Sequence, residues 1–193
     1  MEHRPLTLVS SLIKVALIAI FTALALGTNY VMIDIPNVKL MDSLVFIAAY
    51  LFGLRVGVAT AASIWLVYGF VNPYGQDGPL LLSFLIAGEC FYAIGGGLLK
   101  KMPAGAQLLT SGSYRRSTIV LGALGLSTTF AYDALTNFAS FLFVTSSLYQ
   151  AFIIGMITGA PFALFHEVSN VGFFATFVPG AIRAVRRFRP GLV

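Results

Sequence analysis

The chain has 193 residues, of which 58% are hydrophobic and 10% are charged. Soluble domains carry about 25% charged residues, so the composition excludes an ordinary soluble domain and predicts one membrane domain. A formal charge of +5 would suggest a nucleic-acid partner for a soluble protein. Here the basic residues flank apolar runs, as topology signals do, and we expect no nucleic-acid partner.

Six apolar runs divide the chain. A helix needs about 20 predominantly apolar residues to cross a bilayer, and fewer where its ends are buried in protein. We therefore predict an all-α integral membrane protein, a bundle of six transmembrane helices that forms a single domain over residues 1–193. The predicted helices cover residues 8–28, 41–53, 56–71, 79–99, 117–140 and 148–184.

The first three runs predict one long helix and a tight helical hairpin. A polar loop at residues 29–39 follows the first run and contains Asp34, Pro36 and Asn37. The second and third runs are short, and Leu54 and Arg55 form a tight turn between them.

The second half begins with the turn-forming segment NPYGQDG at residues 72–78. Pro79 suits the first position of the fourth helix. The linker at 100–116 is the longest and most basic. The last run, 148–184, is too long for a simple crossing, and HEVSN at 166–170 interrupts its apolar character. It is either one long tilted helix or a helix followed by an interfacial segment.

The positions of the basic residues predict the orientation. With the N-terminus inside, eleven of the twelve lysines and arginines fall at cytoplasmic ends, and Lys39 alone falls outside. Basic residues in short loops resist translocation, so we expect a multi-pass protein of the plasma membrane with both termini in the cytoplasm. The eleven are Arg4, Lys14, Arg55, Lys100, Lys101, Arg115, Arg116, Arg183, Arg186, Arg187 and Arg189.

Three acidic residues, Glu89, Asp133 and Glu167, lie inside apolar runs. Burying a charge at the bilayer centre costs about 2.5–3.5 kcal/mol on insertion scales, so such residues face a protein interior or a water-filled cavity. Glu89 and Asp133 are expected either to line a cavity that opens outward or to be paired or protonated within the bundle. Glu167 is expected near the inner face.

A metalloenzyme is not supported by the sequence. His166 and Glu167 suggest a zinc helix, but the second histidine would have to stand at position 170, which is Asn170. The single cysteine, Cys90, allows no intrachain disulfide and is most simply a core residue, with ligation of a cobalt corrinoid as a minor alternative. We predict no catalytic residue, no metal site and no cofactor.

Two further patterns admit a functional and a structural interpretation. Ala19 and Ala23 form an A-x-x-x-A motif, which lets another helix approach closely, within the chain or on a partner. Aromatic residues near the outer ends form either an interfacial belt or a stacking site for a flat ligand, with amides as hydrogen-bond partners. The predicted substrate-binding residues are Asn37, Tyr74, Glu89, Asp133, Asn137 and Tyr149.

The segment PNVKLMDSLVFIAAYLFGLRVGVATAASIWLVYGFVNPYG, residues 36–75, resembles the second and third helices of the substrate-binding S components of energy-coupling-factor (ECF) vitamin transporters. The motif at Ala19 and Ala23 is similar to the small-residue motif of that family. Chain length, helix count and orientation agree with it. The resemblance is strongest from the first helix to Gly75.

This resemblance implies a transport subunit and not an enzyme. S components bind a vitamin near the outer face and dock through the first helix, here Ala19 and Ala23, onto a transmembrane T subunit coupled to two cytoplasmic ATPases. The absence of a phosphate-loop motif agrees with ATPase activity in partner chains. The vitamin stays open among thiamine, a flavin and cobalamin.

Two alternatives remain at this stage. One is a small intramembrane enzyme that uses Glu89, Asp133 or His166 as acid or base. The other is a solitary vitamin facilitator that needs no ATPase module.

Overall fold

The computed structural model describes residues 4–73, 75–110 and 113–188, without the side chains of 4–10, 106 and 110. This part of the chain is helical and holds no strand. The helices are α1 (Arg4–Val31), α2 (Met41–Phe52), α3 (Leu54–Val71), α4 (Pro79–Lys101), α5 (Pro103–Thr110), α6 (Tyr114–Phe141), α7 (Leu148–Gly172) and α8 (Val178–Phe188), with a π-helical turn, Phe173–Phe177, between the last two.

Five helical stretches of the described chain are long and apolar enough to cross a membrane. The protein is thus all-α, with the long apolar helices of a multi-pass membrane protein. α2 has 12 residues, about 18 Å at 1.5 Å per residue, which is shorter than the ~30 Å hydrocarbon core. The five stretches are Ser11–Val31, Leu54–Val71, Pro79–Lys101, Tyr114–Phe141 and Leu148–Phe188.

α2 is the central helix of the bundle. Its residues are buried from Met41 to Leu51, and it packs on α1, α3, α4 and α8. Glycines allow its neighbours to approach closely: a Cβ at Gly57 of α3 would meet Ala49, and one at Gly96 of α4 would meet the carbonyl oxygen of Phe46. A helix that is apolar on all sides has to be covered in this way.

The turn between α2 and α3 is tighter than predicted. The sequence predicts it at Leu54 and Arg55, but α3 begins at Leu54 and Gly53 alone joins the helices. Gly53 has φ = 101°, a conformation that glycine adopts without a steric penalty.

The last predicted run is one continuous helical stretch from Leu148 to Phe188. The segment 166–170 does not interrupt it, because His166 and Asn170 lie one turn apart and both point into the bundle, where they are fully buried. The irregularity comes later, at the π-helical turn. The linker at 100–116 also contains a helix that was not predicted, α5.

The bundle has two chemically different ends. At the basic end, Lys100 donates to the carbonyl oxygen of Leu51 (2.9 Å) and Arg183 donates to Ser117 Oγ (2.8 Å). At the other end, the cavity end, Tyr30 Oη donates to the carbonyl oxygen of Val71 (2.9 Å), which joins α1 to α3. The segment 32–40 lies at the cavity end, as do Asn72 and Asp77.

Candidate functional site

A cavity of about 410 Å³ opens at the cavity end. This volume is in the range of small-molecule sites, about 300–1,000 Å³. Its wall comes from α1, the segment 32–39, α3, Asn72 and Asp77 before α4, and then α4, α6 and α7. The lining residues are Asn29, Met32, Ile33, Ile35, Pro36, Asn37, Val38, Lys39, Trp65, Tyr68, Asn72, Asp77, Leu81, Leu85, Tyr132, Asp133, Thr136, Asn137, Ser140 and Phe162.

The non-helical segment 32–40 forms one side of the cavity because α2 starts late. Asn37 takes the left-handed conformation (φ = 59°), which asparagine tolerates better than most residues. Its Nδ2 donates to the carbonyl oxygen of Phe162 on α7 (3.1 Å). Irregular backbone at membrane depth is tolerated where it is buried in protein or lines a cavity.

Three aromatic rings in mutual contact form one part of the wall. Trp65 stacks on Tyr132 with ring centroids 6.4 Å apart, and Tyr68 meets Trp65 edge-on at 5.8 Å. The ammonium group of Lys39 lies 4.8 Å from the Tyr132 ring centroid and 5.6 Å from that of Trp65. These cation–π contacts hold the lysine at the cavity floor.

Several polar groups on this wall have no hydrogen-bond partner within the described residues. Lys39 is 8% exposed and its ammonium group makes neither a hydrogen bond nor an ion pair to them. Buried polar groups that lack partners are costly, so they suit a ligand that satisfies them. The unpartnered atoms of other lining residues are Asn29 Nδ2, Asp77 Oδ2, Tyr132 Oη and Asp133 Oδ2.

Asp77, in the loop before α4, has a perturbed carboxyl group. Partial burial raises its pKa above the ordinary value, and a hydrogen bond from Asn72 and the charge of Lys39 oppose the rise.

Beneath the cavity floor, a buried histidine bridges two carboxyl groups. His166 Nε2 lies 2.7 Å from Asp42 Oδ2, and His166 Nδ1 lies 2.8 Å from Asp133 Oδ1. The three side chains come from α7, α2 and α6, and Asp133 also lines the cavity. The chain of hydrogen bonds thus runs from the cavity wall to the centre of the bundle.

A shell of neutral polar groups supports this chain. Asn170 Nδ2 donates to Asp42 Oδ2 (2.7 Å) and to Thr129 Oγ1 (2.9 Å). Tyr92 Oη donates to Thr129 Oγ1 (3.1 Å). All four are fully buried, so the network fixes the relative positions of α2, α4, α6 and α7.

Glu89 on α4 completes the group. Its Oε2 accepts a hydrogen bond from Trp65 Nε1 (3.1 Å), and its carboxyl group lies within hydrogen-bonding reach of Asp42. We call Lys39, Asp42, Glu89, Asp133 and His166 the ionic cluster. Within this cluster, Glu89 connects Trp65 of the cavity wall to the buried Asp42–His166–Asp133 chain.

The predicted binding residues divide into three sets. Asn37, Asp133 and Asn137 line the cavity. Glu89 and Tyr149 are not on its described wall: Glu89 is fully buried next to Trp65, and Tyr149 is 75% exposed at the start of α7. Tyr74 lies outside the described residues.

The two alanines of the predicted docking motif are exposed on α1. Ala23 lines a shallow apolar groove along this helix with Ile20, Leu24 and Gly27. The motif therefore faces outward from the bundle instead of packing within it.

Sequence reasoning missed Asp42, Trp65 and Tyr132 and gave no role to Lys39. Two features of the sequence could have drawn attention to Lys39 and Asp42. Lys39 is the basic residue that departs from the charge pattern, and Asp42 is an acidic residue at the start of an apolar run. Nothing in the sequence shows that His166 would meet two carboxyl groups more than 30 positions away.

No group of three or more His, Cys, Asp or Glu side chains in the described chain could hold a metal ion. Comparison of the chain with protein-family models, with curated proteins and with solved structures finds no match. The geometry of the cavity is therefore what supports a functional assignment.

Proposed function

We propose that the chain is the substrate-binding S subunit of an ECF-type transporter, which binds a vitamin or related micronutrient at the outer face for ATP-driven uptake. The observation that carries this proposal is the cavity of about 410 Å³, with its aromatic wall and unpartnered polar groups, at one end of an apolar helical bundle. The resemblance of residues 36–75 to S components supports the same function.

The charge pattern supports an outward-facing cavity. Lys100 and Arg183 lie at the basic end, opposite to the cavity. The positive-inside rule assigns that end to the cytoplasm. The protein then takes its ligand from outside the cell, beside a transmembrane T subunit and with two ATPases on the inner side.

The groups on the wall favour a planar ligand that is both a hydrogen-bond donor and an acceptor. Trp65 and Tyr132 offer ring faces, Lys39 and Asn29 offer donors, and Asp133 offers an acceptor. A ring system of the size of thiamine or a flavin fits such a volume. A whole cobalamin is too large to be enclosed in it.

The exposed motif on α1 supports docking onto a T subunit. Small residues let a partner helix come close, and packing of this kind drives helix association in lipid, where apolar burial gives no advantage. Ala19 and Ala23 supply such a surface without disturbing the bundle.

Ligand identification tests this function. The protein is purified into lipid nanodiscs, its bound small molecules are extracted for mass spectrometry, and a vitamin panel is titrated against the emptied protein. We expect one stoichiometric vitamin. The absence of any bound molecule, together with no response across the panel, would overturn the proposal.

A matched pair of variants locates the ligand. Lys39→Met should weaken binding about 10-fold or more, because a hydrogen bond to a charged group contributes about 1.5–3 kcal/mol. Lys14→Met removes an exposed lysine from α1 and should leave the affinity unchanged. Equal affinities for the two variants would remove Lys39 from the site.

A further inference from the structure

The ionic cluster holds more acidic than basic groups, and this imbalance determines how many protons it must bind to be neutral. In the chain Asp42–His166–Asp133, two hydrogen bonds join three groups, and each bond needs one hydrogen. Two aspartates and one imidazole that share two protons have a net charge of −1, wherever the protons lie along the chain. The ammonium group of Lys39 balances this charge.

Glu89 is then the acidic group for which the cluster holds no further positive charge. If it were ionised, the cluster would keep a net negative charge among residues that are at most 8% exposed. An uncompensated charge in so apolar an environment is far more costly than a neutral acid. Charge balance therefore requires one further proton, on Glu89.

The hydrogen-bond pattern leaves a place for this proton. Glu89 Oε1 and Asp42 Oδ1 are both buried acceptor atoms without a donor, and the two carboxyl groups lie within hydrogen-bonding reach. A protonated Glu89 that donates to Asp42 satisfies both atoms at once. Glu89 Oε2 remains the acceptor for Trp65 Nε1.

The cluster is not sealed from the cavity. Asp133 and Lys39 both line the cavity wall, and Asp133 Oδ2 is unpartnered there. Chains of Asp, Glu and His at membrane depth are the usual carriers of protons in pumps and transporters.

We propose that the ionic cluster is a proton-binding site, beneath the cavity, that exchanges protons with it through Asp133. This is a function beyond ligand binding. The cluster could gain or lose a proton when a ligand binds to Lys39 or Asp133. This coupling to a ligand rests on the proposed function, whereas the existence of the proton-binding site does not.

The titratable neighbours of the cluster are limited. Beside its own members, the groups that face it are Tyr92 and Cys90 of α4 and Tyr132 of α6, with Asp77 and Glu167 at its edges. α3 contributes the neutral Trp65 and the titratable Tyr68, whose ring contacts that of Trp65. Substituting these few residues is therefore enough to identify the group whose titration changes the fluorescence of Trp65.

The chain's single tryptophan reports on the site directly, because Trp65 bonds to Glu89 and lies next to Lys39. The test is a pH titration of Trp65 fluorescence in ligand-free protein in nanodiscs, with circular dichroism to define the range in which the protein stays folded. We expect a sigmoidal change in the wild type. A flat titration over the folded range would overturn the proposal.

Two variants assign the transition. Glu89→Gln should abolish it, since glutamine has the size and hydrogen-bonding groups of a protonated glutamic acid but does not titrate. Glu167→Gln, a half-buried carboxyl next to His166 on α7, should leave it in place. An unchanged transition in Glu89→Gln would contradict the proposal.

Infrared difference spectroscopy gives a second test. Between low and high pH, the wild type should show the carbonyl stretch of a protonated carboxyl group that shifts in D₂O and is missing from Glu89→Gln, whereas the bands of Asp77 and the other carboxyl groups are common to both proteins. Identical carbonyl bands in the two proteins would overturn the proposal. Neither measurement uses a ligand, so failure of the vitamin panel and failure of the proton site are distinguishable.

Discussion

Each of the five members of the ionic cluster contacts another side chain of the described chain. His166 spans Asp42 and Asp133, Lys39 lies over two aromatic rings, and Glu89 accepts from Trp65. Removing one member of such a set leaves a buried charge uncompensated, at a cost of about 3–5 kcal/mol. The cluster therefore constrains the stability of the fold.

Asp77 gives a pH-dependent prediction at this scale. Because burial raises its pKa in the folded protein, the folded state binds more protons than the unfolded state. Asp77 favours the folded state fully at a pH below the ordinary pKa of 3.8. This favourable contribution to the free energy of unfolding is lost as the pH rises through the raised pKa of the folded protein. The temperature of unfolding should therefore fall with rising pH across this window.

The Asp77→Asn variant checks this prediction, because the amide mimics the protonated acid at every pH. We expect a smaller decrease in its unfolding temperature from acidic to neutral pH than in the wild type, measured in nanodiscs. Asp34→Asn, an exposed loop residue, is the control. Parallel curves for wild type and Asp77→Asn would exclude Asp77 as the source of the pH dependence.

At the scale of helices, close backbone contact positions α2 in the bundle. Gly96 of α4 faces the carbonyl oxygen of Phe46 of α2 with no room for a Cβ. We expect Gly96→Ala to destabilise the protein by about 1–3 kcal/mol, because the helices must move apart. Thermal or denaturant unfolding in nanodiscs measures the change.

Gly27→Ala is the matched control on α1, where an added Cβ meets nothing within 4 Å. It should be neutral or stabilise by about 0.5–1 kcal/mol, since glycine weakens a helix interior. If both variants behaved alike, contact between α2 and α4 would not be the reason for Gly96.

The exposed face of α1 gives a prediction about partner capture. Ala19→Leu and Ala23→Leu add bulk to a surface that faces outward, so they should abolish or strongly reduce T-subunit capture and leave ligand affinity unchanged. Co-purification of the T subunit measures capture. Ala160→Leu, on an exposed alanine of α7, should have no effect; full capture by the α1 variants would refute the docking surface.

For the whole molecule, the two ends of the bundle predict its orientation in the membrane. In a Cys90→Ala background, Asp34→Cys at the cavity end should react with an impermeant thiol reagent on intact cells. Arg116→Cys, exposed near the start of α6, should react only after the cells are permeabilised. The reverse pattern would place the cavity on the cytoplasmic side.

The sequence by itself determined the membrane class and most helix positions, because both depend on local composition: apolar runs predict helices, and turn formers such as Asn72 and Gly78 mark their ends. It also singled out Asn37, Asp133 and Asn137, which line the cavity. The boundaries at Gly53 and along 148–188 depended on packing and were less well predicted.

Only the tertiary structure decided which side chains of the site contact each other. The contact of His166 with Asp42 joins residues 124 positions apart, and that with Asp133 joins residues 33 apart. No local pattern encodes such a pairing, because it depends on how α2, α6 and α7 pack. The same packing placed Lys39 over Tyr132 and enclosed Glu89 behind the aromatic wall. The electrostatics of the site thus follow from helix packing, whereas the membrane class follows from composition.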